Sequence, residues 1–295
     1  MNMHLKISPE LSAWIAENLE RGCAAADVVR AMLAQEFDPA VAAALVDAVV
    51  QARARGLPAP EGAVEVEFEE PGFRPETPRL AAGPVIRTFD RDVVVVLRIE
   101  RPALAVLADV LSPDECREII ALGRDRLRAS TVMDPGTGRD TVARHRSSHG
   151  MFFRPQENPF VARLERRVAE LMNCPLRNGE GFQLLRYHPG AGSAAHYDFL
   201  TPGTAANDAS LARSGQRVSS LVIYLNDVER GGETVFPEIG LAVTPRRGHA
   251  VHFEYVNSRG DVDLKSVHAA APVQAGEKWV LTKWMRERPF VSAGA

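Results

Sequence analysis

The most constraining feature of this 295-residue chain is a series of short strand-forming stretches in its second half. Each stretch is rich in residues that favour extended backbone, and turns rich in Gly, Pro or Asn separate one from the next. The stretches are 181–187, 194–199, 218–225, 233–236, 250–253, 266–270 and 278–285. Short strands at this spacing are typical of a sandwich or jelly roll, so the sequence predicts a mainly β domain.

Helices and further strands precede this series. Two β-branched runs, 92–99 and 104–110, predict additional strands. The segment Ser112-Pro113-Asp114-Glu115 combines an N-cap, a proline in the first turn and a capping-box acid, which predicts a helix through Leu127. A second helix is expected over 158–171. We therefore expect an α+β domain in which two helices buttress one sheet of the jelly roll.

The first 56 residues predict a small helical bundle. Ser8-Pro9-Glu10 is a strong helix start, and apolar residues recur at helical spacing in three segments that end near Gly56. Residues 57–84 are rich in Pro and Glu, which indicates a linker or an extended arm. The predicted domains are the bundle (1–56), the linker (57–84) and the jelly roll (85–295).

Composition limits the classes of partner. The net charge is −3, and aromatic residues make up 6% of the chain, so neither a basic field nor a base-stacking surface for nucleic acid is expected. The three cysteines are far apart, which indicates free thiols in a reducing compartment. No apolar run suits a signal peptide or a membrane span. A cytoplasmic protein that binds neither nucleic acid nor membrane is the expectation.

A candidate metal site joins two distant stretches of the chain. Residues i and i+2 of a strand lie on one face, so His196 and Asp198 could bind one ion together. A later strand that carries His268 alongside would complete a set of two histidines and one carboxylate. This facial arrangement is characteristic of non-haem Fe(II) oxygenases, because it leaves coordination positions open.

Lys278 suggests an anion in the same cavity. It follows His268 by ten residues and begins the final strand, in the sequence Gly-Glu-Lys-Trp. A lysine inside a barrel is rarely left without a partner, so an interior Lys278 would indicate a bound dicarboxylate. A lysine that reaches solvent from the barrel mouth is the alternative.

The ordered motifs from Gly181 to Phe290 resemble the catalytic domain of prolyl 4-hydroxylase-type Fe(II)/2-oxoglutarate dioxygenases. The resemblance rests on a tyrosine, HxD, GGET-FP, a distal histidine and GEKW in this order. Upstream, 109–116 resembles the first catalytic-domain helix, and 146–150 resembles a substrate-side strand. The opening helices resemble a leader of bacterial members. The fold that this resemblance implies is a double-stranded β-helix, or jelly roll.

The resemblance implies roles for individual residues. His196, Asp198 and His268 would be the iron ligands, and Lys278 would hold 2-oxoglutarate with the help of Tyr187 and Ser220. The implied residues on the substrate side are Arg146 (also a candidate catalytic residue), Ser148, Trp284 and Arg286, and Ser193 is a further candidate on that side. Tyr197, between two ligands, is expected to pack away from the metal.

One departure from the family concerns the substrate. Three residues before the first ligand the family often has a tyrosine of the peptide groove, whereas this chain has Ser193 among small residues. The iron site is untouched, but the pocket could be wider than in prolyl-peptide hydroxylases. The stretch 201–215 is expected to be a loop and is a candidate lid.

The resemblance implies hydroxylation of an unactivated C–H bond, most simply in a peptidyl proline. Fe(II) would be the bound cofactor, 2-oxoglutarate and O2 would be consumed, and succinate and CO2 would be released. L-ascorbate is the reductant that the family leads us to expect. A free amino acid or small metabolite is the alternative substrate, and a non-catalytic jelly-roll binding module is a remote alternative. A homodimer remains open.

Overall fold

The computed structural model describes residues 2–35, 37, 39–60, 62–67, 73–129, 131–133, 140–142 and 148–292. The chain divides into two compact units, Met1–Gly72 and Phe73–Ala295. The division falls within the stretch 57–84 that the sequence marks as a linker. No helix in the described part of the chain combines the length and the apolar character that crossing a bilayer requires.

The first unit holds three helices and a two-stranded antiparallel sheet. The helices are α1 (Pro9–Glu20), α2 (Ala25–Leu33) and α3 (Pro39–Ala54). Ser8 caps α1 by accepting a 3.2 Å hydrogen bond from the Leu11 amide. Ile15, Val28, Met32 and Leu45 are among the apolar side chains that form its core.

The helical prediction for the first unit does not include this two-stranded sheet, whose strands come from the two ends of the unit. Strand β1 (Asn2–Ile7) pairs antiparallel with β2 (Gly62–Glu67). β2 lies inside the Glu-rich stretch predicted as a linker, where Val64 and Val66 alternate with Glu65 and Glu67. This two-residue period is the signature of a strand with one apolar face, and the high content of Glu and Pro around it conceals the signal.

The second unit is built on a large antiparallel sheet. Its strands are β3 (Val85–Arg87), β4 (Asp92–Ile99), β5 (Leu104–Ala108), β6 (Arg128–Ala129), β9 (Ser148–Phe152), β10 (Gln183–Tyr187), β12 (Arg217–Tyr224), β16 (Ala250–Glu254) and β19 (Lys278–Arg286). They follow the order β3-β4-β5-β16-β12-β19-β10-β9-β6. Strands that are distant in sequence, such as β10 and β19, are therefore neighbours.

A smaller sheet faces the large one across the core. It has the order β11-β17-β14-β15, from strands β11 (Ser193–His196), β14 (Thr234–Phe236), β15 (Leu241–Val243) and β17 (His268–Ala270). Two further pairs are β7 (Thr131–Met133) with β8 (Asp140–Val142), and β13 (Arg230–Gly231) with β18 (Val273–Ala275). Two facing antiparallel sheets with these crossovers form a jelly roll, which confirms the predicted fold class.

The two predicted helices are present in the second unit. α4 (Pro113–Gly123) begins at a complete capping box between Ser112 and Glu115 and ends before Leu127, with a short 3-10 turn in between. α5 (Pro159–Leu171) begins at its N-cap Asn158. A third helix, α6 (Ala205–Ser214), occupies the stretch that the sequence suggests is a loop.

The central strand β19 shows how the layers meet. All nine of its residues are buried, although side chains of a strand alternate between its faces. Lys278, Val280, Thr282 and Trp284 line a cavity between the sheets. On the other face, Lys283 forms a 2.6 Å ion pair with Glu165 of α5. One face of β19 therefore lines the cavity, and the other packs against α5.

Candidate active site

The cavity lies between the two sheets of the jelly roll and contains most of the predicted site residues. One wall comes from strands of the large sheet, and the other comes from β11, β14 and β17 of the small sheet. The lining includes Gln183, Tyr187, Ser193, His196, Asp198, Thr234, His268, Lys278, Thr282 and Trp284. Polar groups converge here inside an otherwise apolar core.

Two histidines face each other in this cavity. His196 ends β11 and is paired with His268, the first residue of β17. Their ring centroids are 4.4 Å apart. The backbone ladder between the strands therefore fixes the spacing of the two imidazoles, and a slip of one residue would turn one of them out of the cavity.

Asp198 completes a cluster with the two histidines. One potential ligand atom from each of the three side chains lies within 4.8 Å of the others. The sequence interpretation placed His196 and Asp198 on one continuous strand, but β11 ends at His196 and Asp198 lies in the bend that follows. A bulge in the β11–β17 pairing and this bend bring the carboxylate round to the imidazoles.

Backbone carbonyls select the tautomer of each histidine. The Nδ1 of His196 lies 2.9 Å from the carbonyl oxygen of Ala194, and the Nδ1 of His268 lies 3.1 Å from that of Ser266. A carbonyl oxygen only accepts, so each Nδ1 carries the proton and donates. The Nε2 atom of each ring faces Asp198, at 3.8 Å for His196 and 3.6 Å for His268.

Asp198 is buried and is held as a carboxylate. Burial by itself would raise its pKa, but His268, His196 and Arg217, together with the Ser220 hydrogen bond, keep the pKa below its ordinary value. The Ser220 hydroxyl donates to Oδ2 of Asp198 at 2.6 Å. An ionised carboxylate beside two imidazoles is a donor set that suits a divalent transition metal.

Lys278 occupies another part of the same cavity. It begins β19 directly opposite Tyr187 of β10, and its ammonium lies 5.5 Å from the Tyr187 ring centroid and 5.6 Å from that of Tyr224. In the described part of the chain the ammonium forms no hydrogen bond or ion pair. Burial lowers the pKa of Lys278 to about 8, against an opposing effect of Glu233. A bound anion would relieve this desolvated charge.

A hydroxyl pair lies on the same side of the cavity. Tyr224 donates a 2.8 Å hydrogen bond to Oγ1 of Thr234, which lines the cavity. Thr234 belongs to the GGET motif noted in the sequence, but no role was predicted for it. Thr234 supplies a hydroxyl in the lining of the cavity, and a hydroxyl is the group that the family resemblance implies for Ser220.

Ser220 and Arg286 lie elsewhere than the sequence suggests. Ser220 was expected beside Lys278, but it contacts Asp198 and, at 3.1 Å, the hydroxyl of Tyr255. Arg286 was expected at the pocket rim, but it is 2% exposed and its guanidinium donates to Glu180 and to backbone near α6. The described lining of the cavity does not include Arg286, because it is the last residue of β19 and lies beyond Trp284.

Of the remaining residues predicted on the substrate side, two belong to the described lining of the cavity. Ser193 and Trp284 line the cavity. Ser148 is buried on β9, directly opposite Tyr187. Arg146, the candidate catalytic residue, lies outside the described residues. Tyr197 is 38% exposed and stacks on Phe199 with ring centroids 4.7 Å apart.

Sequence reasoning missed a charged network beside Asp198. Arg217 donates to Glu180 through Nε at 2.7 Å and Nη2 at 2.9 Å, and its Nη1 lies 3.3 Å from the carbonyl oxygen of Asp198. The same guanidinium lies 4.1 Å from the ring centroid of Trp284. Glu180 and Arg217 are far apart in sequence and match no short motif, so only a folded arrangement reveals them.

Comparisons with known proteins find relatives over the region that contains this cavity. The family described as the 2OG-Fe(II) oxygenase superfamily matches residues 182–286. Prolyl 4-hydroxylase 1 of Arabidopsis thaliana is 38% identical over 202 residues, which cover 63% of this chain and 70% of that protein. Prolyl 4-hydroxylase subunit alpha-1 of Gallus gallus is 33% identical over 211 residues, 72% of this chain but 39% of the chicken subunit.

A solved structure with a related architecture is a viral collagen prolyl hydroxylase from Paramecium Bursaria Chlorella virus-1 in complex with 2OG. It is 25% identical, with a TM-score of 0.49, and the match covers 62% of this chain and 95% of that one. The fold and the metal-binding triad define a 2-oxoglutarate- and Fe(II)-dependent oxygenase, as predicted. Within that class, the chain belongs to the prolyl 4-hydroxylase family.

Proposed function

We propose that this enzyme hydroxylates proline residues in peptides or proteins, using Fe(II), 2-oxoglutarate and O2. The names of its relatives support the proline substrate. The observation that carries the proposal is the occupancy of one cavity by the His196, Asp198 and His268 cluster together with the buried Lys278. A cluster of potential metal ligands shares this cavity with a buried ammonium that has no hydrogen-bond or ion-pair partner among the described residues, which supports binding of a metal and an anion that act together.

The donor set fits Fe(II). His196, Asp198 and His268 would occupy three coordination positions, and the remaining positions would accept 2-oxoglutarate and O2. When bound, the iron and 2-oxoglutarate supply the oxidation of an unactivated C–H bond, with release of succinate and CO2. The protein's own part is to fix the ligands: two carbonyls hold the imidazoles, and Ser220 holds the carboxylate.

The Lys278 end of the cavity fits the distal carboxylate of 2-oxoglutarate. The ammonium would pair with that carboxylate, while Tyr187 and Thr234 supply hydroxyl groups in the same lining. Ser220 is left out of this set because its hydroxyl is engaged with Asp198. Binding an anion here would raise the depressed pKa of Lys278 and keep it charged.

The substrate end of the cavity lies at the opposite end of β19. Trp284 is six residues beyond Lys278, about 20 Å along an extended strand. We assign Trp284 and Ser193 to the wall that receives the proline side chain, with Ser148 and Arg146 as further candidates on the substrate side. Closing the substrate into this cavity excludes water from the reacting carbon.

The direct test offers proline-rich peptides to the enzyme with Fe(II) and 2-oxoglutarate under isotopically labelled O2. The expected result is a mass gain of one labelled oxygen atom on proline, with an equal amount of succinate. Enzyme that converts 2-oxoglutarate to succinate yet oxidises none of a broad panel of proline peptides would contradict the peptide substrate while leaving the iron chemistry intact.

A free amino acid or small metabolite is the second candidate substrate. The observation that favours it is Ser193, a small residue of the cavity lining where the family often has a groove tyrosine. The same labelling experiment with free amino acids separates the two candidates. Exchanging Ser193 for tyrosine should leave small-molecule hydroxylation impaired if the extra room is used for such a substrate.

Three further expectations belong to this proposal. L-ascorbate would restore enzyme that has lost Fe(II) through oxidation during turnover. A cytoplasmic location is supported by the free state of Cys23, Cys116 and Cys174, which is typical of reducing compartments. A homodimer stays a proposal that sedimentation at several protein concentrations would test.

A further inference from the structure

Helix α6 is tied to the catalytic domain at its C-terminal end by two arginines. Nη2 of Arg286 donates to the carbonyl oxygens of Ser210 at 2.9 Å and Gly215 at 2.5 Å, and to the Ser210 hydroxyl at 3.2 Å. Arg288 donates to the carbonyl oxygens of Leu211 at 2.8 Å and Ala212 at 2.9 Å. Cations at this end of a helix also favour its dipole.

The two arginines differ in what else they contact. The Nη1 of Arg286 donates to Oε1 of Glu180 at 3.0 Å, and the Arg286 side chain is 1% exposed. Arg288 is exposed, and its hydrogen bonds in the structure go to α6. Arg286 alone of this pair therefore joins the helix to an interior carboxylate.

Glu180 links Arg286 to the active site because it also accepts hydrogen bonds from Arg217. The same Oε1 accepts from Arg217, which also reaches the carbonyl oxygen of Asp198 and lies over the ring of Trp284. Burial would raise the pKa of Glu180, but the two guanidiniums hold it below its ordinary value, so the carboxylate stays ionised. A continuous set of charge-assisted contacts thus runs from α6 to a metal ligand and to a cavity wall.

We propose that Arg286 is a positioning residue that sets the substrate end of the cavity. Through Glu180 it holds Arg217 against Trp284, and through the carbonyls of Ser210 and Gly215 it fixes α6 in the stretch between Asp198 and β12. The inference rests on the proposed peptide substrate. Lys278 lies at the other end of β19, so we expect the affinity for 2-oxoglutarate not to depend on Arg286.

The test compares Arg286→Lys with Arg288→Ala as the matched control. Lysine keeps the charge and can still pair with Glu180, but it lacks the planar fork that reaches the helix and the carboxylate together. For Arg286→Lys we expect a rise in KM for a proline-rich peptide of about tenfold or more, as for the loss of one charge-assisted hydrogen bond. The KM for 2-oxoglutarate should stay within about twofold.

Hydrogen exchange supplies a readout that does not depend on activity or on the peptide chosen. Amides of residues 205–216 should exchange faster in both variants, whereas amides of residues 282–286, around Trp284, should exchange faster only in Arg286→Lys. Arg288→Ala should keep the wild-type KM for the peptide. If no peptide is a substrate, the proposed function fails, and the exchange pattern still decides the role of Arg286.

Three outcomes overturn the inference. One is an equal change in the KM for the peptide in both variants, which would show that Arg286 acts only by capping α6. Another is a parallel rise in the KM values for peptide and 2-oxoglutarate in Arg286→Lys. The third is unchanged exchange around Trp284 in that variant.

Discussion

The Ser220 hydroxyl donates a 2.6 Å hydrogen bond to Oδ2 of Asp198. A serine hydroxyl has one proton, so the 3.1 Å contact between Ser220 and Tyr255 must have the tyrosine as the donor. Tyr255, Ser220 and Asp198 therefore form a directed chain of hydrogen bonds. This chain reaches Oδ2, the oxygen that lies 3.6 Å from Nε2 of His268, and leaves Oδ1 toward His196.

Removing the serine hydroxyl should loosen the metal site. We expect Ser220→Ala to weaken Fe(II) binding by about 10-fold to 100-fold, the usual effect of losing a partner that orients a metal ligand. Ser220→Thr keeps a hydroxyl and should stay near the wild-type affinity. Equilibrium dialysis against Fe(II) under anaerobic conditions measures both. Equal affinities of wild type and Ser220→Ala would show that Ser220 has no part in holding Asp198.

The affinity for 2-oxoglutarate should depend on pH through Lys278. Burial lowers the pKa of this ammonium to about 8 in the unliganded protein. The protonated form attracts the dicarboxylate, so affinity should be full below that pH and fall by up to about tenfold per pH unit above it. Measuring KM for 2-oxoglutarate from about pH 7 to about pH 10 gives the profile.

Two variants identify the group responsible for that profile. Lys278→Arg keeps a charge that does not titrate in this range, so its KM for 2-oxoglutarate should be flat with pH, even if it is higher. Lys278→Ala should raise the KM for 2-oxoglutarate far more than the requirement for iron. A profile in Lys278→Arg that still falls near the wild-type midpoint would assign the titration to another residue.

Stability should depend on the ion pair between β19 and α5. Lys283 and Glu165 are each 1% exposed and lie 2.6 Å apart. Lys283→Met removes one partner and leaves a buried carboxylate uncompensated, so we expect a loss of roughly 3–5 kcal/mol in the free energy of unfolding. Denaturant titration measures the loss.

The second step of that experiment neutralises the remaining charge. Glu165→Gln keeps the acceptor for the Gln156 amide, which lies 2.7 Å from Oε2 of Glu165. Added to Lys283→Met, it should recover most of the lost stability, because a buried neutral pair carries little desolvation penalty. Strictly additive losses would show that the two side chains do not interact energetically.

The sequence predicted those parts of the site that depend on local order. His196 and Asp198 are close in the chain, and His268 and Lys278 stand in turns with distinctive residues, so their strands could be recognised and matched. The jelly roll followed from strand spacing, and two helix starts followed from caps at Ser8 and Ser112. Each of these signals extends over a few residues.

Features that arise from long-range packing were not predictable. Ser220 lies on β12 with its hydroxyl directed to Asp198, a partner set by the facing of two sheets. Arg286 has the same alternation as Lys278 and Trp284 along β19, and only the position of α6 and Glu180 turns it into an interior contact. β2 was hidden by the glutamates that alternate with its valines.

The central claim is that His196, Asp198 and His268 hold the Fe(II) that works with 2-oxoglutarate. The most direct measurement titrates wild-type enzyme and Asp198→Ala with Fe(II) in the presence of 2-oxoglutarate and without O2, following the visible charge-transfer absorption of the complex. We expect the wild type to saturate at one equivalent of Fe(II) and Asp198→Ala to develop no such absorption. The same absorption at the same stoichiometry in Asp198→Ala would contradict the assignment of the metal site.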